Sequence, residues 1–264
     1  MEEKIKKANI DNYSLASYYV EAKYNDDLLG NATCFFYKQE TKFYLVTNWH
    51  VVTGKDPITN QILSPSGKTP NLLSVRIFIN DKNNLIGWKF YNVQLYDPEE
   101  RPLWFEYNKF KQRTDVIIIP IEIPDNLKVY CINEIEEPFN ESTEALIGQD
   151  LFILGYPFGI SRGAGFPIWK RASVASEPYL DMDNLPKIYL DTASRPGMSG
   201  SPVVIKEKRT VTLINKGENV SSRYYTKFVG VYSGRIVAED VFEAQLGILW
   251  KRKIIDEIII QHKE

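Results

Sequence analysis

Three residues in this sequence have the types that activated-nucleophile chemistry needs, and their order along the chain matters more than any one alone. His50 lies in Thr47-Asn48-Trp49-His50-Val51-Val52, Asp115 opens the run Asp115-Val116-Ile117-Ile118-Ile119, and Ser199 lies in Gly197-Met198-Ser199-Gly200-Ser201-Pro202. A serine hydroxyl is a weak nucleophile at neutral pH and needs a base within hydrogen-bond reach. Imidazole suits that role because its ordinary pKa lies near working pH. A buried carboxylate then fixes the imidazole tautomer and stabilises the imidazolium that forms. Small residues around Ser199 allow a sharp turn in which the N–H groups of Gly197 and Ser199 can face a developing oxyanion. Singly, each motif has a plainer reading: a structural histidine beside Trp49, a turn aspartate, a tight glycine turn. Jointly they point to catalysis.

These residues need rigid elements to hold them. Segments 18–24, 32–38, 43–47, 74–80, 89–96 and 116–123 are rich in β-branched and aromatic residues and are punctuated by turn formers, so each is expected to be a strand. The second half repeats the texture at 150–154, 170–176, 187–190, 202–206, 210–214, 224–232 and 246–249. Many short strands at this spacing predict an all-β fold of sandwich or barrel type rather than alternating βαβ units. The exception is 250–262, where Trp250, Ile254, Ile255, Ile258 and Ile259 recur at helical spacing. His262 at its end reads as a solvated surface residue. Residues 54–71 read as a long surface loop, and the join between halves is expected within 124–144.

Composition narrows the function classes. The chain has 264 residues, with 32 Lys+Arg against 34 Asp+Glu, two His and two Cys. A net charge of −2 argues against nucleic acid as a partner. Two His and two Cys argue against a four-ligand zinc site of the Cys/His kind and a disulfide-dense scaffold, and triad chemistry itself needs no metal or organic cofactor, so none is expected. No apolar run approaches the roughly 20 residues that span a bilayer, so no membrane partner is expected. No apolar segment follows Met1-Glu2-Glu3-Lys4, so the expected location is cytoplasmic, with Cys34 and Cys131 reduced and buried.

The motifs resemble those of chymotrypsin-like (trypsin-fold) serine peptidases, in particular the bacterial HtrA-type enzymes and glutamyl endopeptidases. Thr47-Asn48-Trp49-His50-Val51-Val52 is similar to the family's T-[AN]-x-H-V-V, Thr114-Asp115-Val116 to its strand-opening D-[VIL], and Gly197-Met198-Ser199-Gly200-Ser201-Pro202 to G-x-S-G-[GS]-P. Leu154-Gly155-Tyr156-Pro157 and Val229-Gly230-Val231-Tyr232-Ser233-Gly234 match further family turns and strands. The resemblance implies two antiparallel six-stranded β-barrels with a C-terminal α-helix and the active site between them. Residues 1–128 would form the barrel carrying His50 and Asp115. Residues 129–264 would form the barrel carrying Ser199. It also implies a serine endopeptidase acting on protein or peptide substrates. Catalysis would rest on His50, Asp115 and Ser199, the oxyanion hole on Gly197 and Ser199, and substrate binding on Ala193, Tyr232, Ser233 and Gly234.

Departures from the family pattern sharpen this. Met198 stands where animal trypsins carry an aspartate that pairs with a new N-terminus, so activation by that route is not expected. Ala193, six residues before Ser199, brings no charge to the specificity pocket, which disfavours a preference for Lys or Arg. Tyr232 replaces the histidine of glutamyl endopeptidases, although Arg195 or Arg235 could still attract an acidic side chain. The acyl-side preference stays open between small or apolar and acidic residues. The alternative function is a gated or inactive binding or scaffolding module on the same fold, acting through an activating partner protein. An esterase of the α/β-hydrolase type is set aside because that family orders its triad Ser, acid, His.

Overall fold

The computed structural model describes residues 10–80, 86–124, 127–135, 145–160, 165–193, 195–213, 219–235 and 245–263. In the first half, strands β1 (Tyr18–Tyr24), β2 (Asp27–Gln39), β3 (Lys42–Thr47), β4 (Leu72–Asn80), β5 (Ile86–Gln94), β6 (Phe105–Glu106) and β7 (Ile117–Ile121) form one sheet in the order β5-β4-β1-β2-β3-β7-β6. In the second, β8 (Asp150–Gly155), β9 (Ile168–Val174), β10 (Lys187–Asp191), β11 (Pro202–Leu213), β12 (Asn219–Arg235) and β13 (Leu246–Lys251) close a barrel in the order β10-β13-β12-β11-β8-β9. The all-β architecture thus matches the expectation, with the first half differing in detail. It has seven strands rather than six, and its strand order stays open at β5 and β6. The chain leaving β5 folds back toward β6 through the Tyr96–Pro102 bridge and a Leu103 N–H to Leu95 carbonyl bond of 2.9 Å.

Why the run Cys34-Phe35-Phe36-Tyr37 is apolar throughout is explained by its two buried faces. Successive side chains on a strand point to opposite sides. Cys34 and Phe36 enter the core of the first sheet with Val20, Leu45, Val75 and Ile117. Phe35 and Tyr37 enter a second core with Leu154, Val204, Phe228 and Trp250 from the barrel. Phe35 and Phe228 meet edge to face at 5.3 Å. Losing a fully buried phenylalanine at such a junction costs about 3–5 kcal/mol, so this shared core holds the halves together. A third core fills the barrel, with Leu151, Ile153, Ile188, Val203, Met198 and Tyr232.

Two short helices, α1 (Asn12–Leu15) and α2 (Trp49–Thr53), and a longer one, α3 (Lys253–Gln261), complete the regular elements used below. Helix α3 lays Ile254, Ile255, Ile258 and Ile259 on the shared core, and the Tyr37 hydroxyl donates to Asp256 Oδ1 at 2.7 Å. It starts later than the periodicity suggests, because Trp250 belongs to β13, paired with Lys187 and Val231. The expected break between 206 and 210 is absent: β11 runs on through Lys206-Glu207-Lys208-Arg209. It pairs with β8 only at Val203 and Val204 and beyond that only with β12. His262 is half-buried, its ring stacked on Phe105 at 4.3 Å and its Nδ1 on the Ile258 carbonyl at 2.9 Å, rather than solvated. Cys34 and Cys131 are buried and free, and burial pushes the Cys131 thiol up to about 12. Of the expected join, residues 125–126 and 136–144 lie outside the described residues. Among the described residues no helix is long and apolar enough to cross a membrane.

Candidate active site

His50 sits on the single turn of α2, which the sequence places at the end of β3. Asn48 enters the turn in extended conformation, and Gly54 closes it at φ +64°, giving its N–H to the His50 carbonyl at 3.0 Å. Glycine adopts that left-handed conformation without steric cost. Trp49 is pinned by its indole N–H to Glu106 Oε1 at 2.9 Å, an oxygen that Trp104 also reaches at 3.1 Å. Val51 and Val52 fill the first core. The histidine therefore stands on a turn fixed from three sides.

Asp115, just before β7, is 2% exposed. Its Oδ1 accepts the His50 backbone N–H at 2.9 Å, and its Oδ2 lies 2.7 Å from His50 Nδ1. Ser233 Oγ donates to the same Oδ2 across from β12. Asn48 Nδ2 donates to the Asp115 carbonyl at 2.6 Å, tying the acid's backbone to the histidine turn. This bonding assigns the Nδ1–H tautomer and leaves Nε2 as the acceptor. Burial pulls the His50 pKa down, but the Asp115 charge and hydrogen bond, with a contribution from Asp56, outweigh it, so the net shift is upward.

Ser199 belongs to a turn tied to both halves. Its carbonyl accepts the Thr33 N–H at 2.8 Å, and Thr33 Oγ1 donates to the Gly197 carbonyl at 2.8 Å. The Gly200 N–H reaches the Tyr232 carbonyl at 2.9 Å. Gly197 has φ +92°, and a Cβ there would run into the Tyr156 carbonyl and come within 2.9 Å of Asn31 Oδ1. Met198 is 1% exposed and anchors the turn in the barrel core. The Pro196 carbonyl accepts the Phe158 N–H at 2.7 Å. Because a trans peptide sets C=O and N–H in opposite directions, the Gly197 N–H points away from Phe158. Among the described residues neither the Gly197 nor the Ser199 N–H has a hydrogen-bond acceptor.

His50 and Ser199 line one cleft of about 150 Å³, with Leu29, Ala32, Val51 and Pro70 as its apolar walls. No hydrogen bond joins their side chains, a spacing common in active sites without substrate. Asp115 and Ser233 border a second cleft of about 440 Å³ with Ile58, Gln112, Ile248 and Trp250.

The other expected site residues fall around this centre. Ala193 is partly exposed beyond β10. The Tyr232 side chain is buried in the barrel, and its backbone N–H and carbonyl are occupied by Ser201 and Gly200. Among the described residues the pairing of β12 with β11 stops at Val231, and no strand pairs with Ser233 and Gly234 on that side. Arg195 is exposed, and the Arg235 side chain lies outside the described residues. Thr33, which the sequence reading did not single out, proves to carry the bridge between the halves; nothing in a threonine within a strand signals it. Among the described residues no group of three or more His, Cys, Asp or Glu could hold a metal ion.

Comparison with known proteins gives this geometry a family. The chain is similar in fold to the serine endoprotease from Yersinia pestis, with TM-score 0.50 and 12% identity, covering 97% of this chain and 67% of that one. No curated protein matches its sequence. The family model described as trypsin-like peptidase domain matches residues 32–213, more than half of the chain, across both sheets and the His50, Asp115 and Ser199 segments. The chain therefore belongs to the trypsin-like peptidase domain family.

Proposed function

We propose that this protein is a serine endopeptidase working through Ser199, His50 and Asp115. The observation that carries the reading is the pair of hydrogen bonds by which one buried carboxylate holds both the His50 ring and its backbone, with the ring sharing a cleft with Ser199. Ser199 Oγ attacks the scissile carbonyl and passes its proton to His50 Nε2. Asp115 holds the ring and stabilises the imidazolium. The Gly197 and Ser199 N–H groups receive the oxyanion. As the C–N bond breaks, His50 gives its proton to the leaving amine and an acyl-enzyme remains. A water molecule, deprotonated by His50, attacks the ester, and Ser199 leaves with the proton returned. The Ser233 and Gly234 backbone would pair with the substrate main chain, which makes peptides and unfolded proteins the natural substrate class.

The gated alternative requires a collapsed oxyanion turn that a partner restores. The Pro196 carbonyl engaged by Phe158 and the burial of Met198 support a turn formed without one. The free, buried thiols support the cytoplasmic placement. Ser199→Ala tests the reading: it should abolish peptide cleavage and covalent labelling by a fluorophosphonate while leaving the circular dichroism spectrum unchanged. Labelling equal to wild type would refute it.

A further inference from the structure

Lys170 is a charged residue on the inward face of a strand. In β9 the alternating positions Lys170, Ala172 and Val174 share a face, and the latter two belong to the barrel core. Lys170 lies opposite Ile153, itself fully buried in that core. Its ammonium donates to Thr192 Oγ1 at 2.6 Å, on the residue that follows the neighbouring strand β10. Thr192 is buried beside Ala193, on the chain leading to the Gly197–Ser199 turn. Gly247, on β13 at the other side of β10, packs directly beside Thr192: an added Cβ would come within 2.9 Å of Thr192 Cγ2 and 2.6 Å of the Tyr232 ring.

Among the described residues no carboxylate lies within ion-pair distance of Lys170, and its hydrogen-bond partner is a neutral hydroxyl. Burial pulls its pKa down first, the positive charge of Arg195 adds to that, and Asp191 opposes both. A partly desolvated cation whose direct partner is a neutral hydroxyl gains from an anion brought to it. Lys170 also remains partly exposed, so an anion from solvent can reach it.

We infer that Lys170 is a specificity-determining residue, and that Lys170, with Thr192 and Ala193 beside it, receives an acidic side chain from the substrate residue on the acyl side of the scissile bond. The inference rests on the peptidase reading for its orientation relative to Ser199. It resolves the choice between apolar and acidic acyl-side residues in favour of Glu or Asp.

The test uses matched peptides that differ only in carrying Glu or Gln at that residue. Two readouts are taken: kcat/KM with wild type, and binding to Ser199→Ala by calorimetry. A hydrogen bond to a charged group predicts at least about a tenfold advantage for Glu in both. Lys170→Met should shrink the ratio to below about threefold, and Lys170→Arg should keep it. Equal values for Glu and Gln, or a Glu advantage that survives Lys170→Met, would overturn the assignment. Fluorophosphonate labelling separates the two readings. Ser199-dependent labelling without a Glu advantage leaves the peptidase standing and removes the subsite. A Lys170-dependent binding ratio without labelling does the reverse.

Discussion

Replacing Asp115 by asparagine tests the site more sharply than deleting it, because the shape is kept and only the bonding roles change. The carboxylate accepts three hydrogen bonds, from the His50 backbone, His50 Nδ1 and Ser233 Oγ, at a site that is 2% exposed. A carboxamide nitrogen cannot face the His50 backbone N–H, since two donors would meet. It must take the Oδ2 position, where the Ser233 hydroxyl can rotate to accept. His50 can meet the new N–H only by presenting Nδ1 as an acceptor, which moves its proton to Nε2. The base facing Ser199 is then already protonated. A triad locked in the wrong tautomer loses about 10⁴-fold in kcat, equivalent to about 5.5 kcal/mol of barrier. The loss of the Asp115 charge also leaves burial as the main influence on His50, so its pKa should drop below the ordinary value of about 6.5. Fluorophosphonate labelling rates and a ¹⁵N titration of the imidazole read the two effects separately. A folded Asp115→Asn variant that labels within about tenfold of wild type would refute the assignment of Asp115 as the orienting acid.

Two further outcomes follow from the same geometry. Because His50 must be neutral to act as base and its pKa is raised, the acid limb of kcat/KM should lie above pH ~6.5, with activity falling as pH drops through it. The same raised pKa makes the His50–Asp115 pair most stabilising below that ordinary value, a contribution lost as pH rises through the folded pKa. A limb below pH ~6 in a substrate-saturation series would contradict the upward shift. Gly197→Ala forces the turn away from Asn31 and Tyr156. It should lower kcat by about 10²–10³-fold through loss of one oxyanion donor, with KM near wild type; steady-state kinetics with unchanged kcat would remove Gly197 from that role.

The proposed triad is legible in the sequence because each member lies in a local pattern: a strand before His50, an apolar strand after Asp115, small residues about Ser199. Strand β1 is readable to the residue for the same reason: its aromatic residues and Val20 end at the turn formers Asn25-Asp26. What stayed hidden depends on partners distant in the chain. Strand β6 is two residues long and exists because Ile117 and Ile118 pair with it. The charged run Lys206–Arg209 looked like a break, yet β12 pairs with it along its whole length. Trp250 fitted helical spacing by coincidence, since β10 and β12 hold it as strand. Likewise the role of Thr33 is visible only once the two halves are docked.

That last contact has a consequence for how such a protein is made. Thr33 receives the Ser199 turn through hydrogen bonds spanning more than 160 residues of sequence. Contacts so far apart form late in folding, because the intervening chain must be ordered first. During synthesis the base and its acid emerge well before the nucleophile, and the oxyanion turn has nothing to rest on until the first sheet meets the barrel. If the chain is the peptidase proposed above, a ribosome-bound fragment has no means of cutting its neighbours, and the first turnover marks the completion of folding.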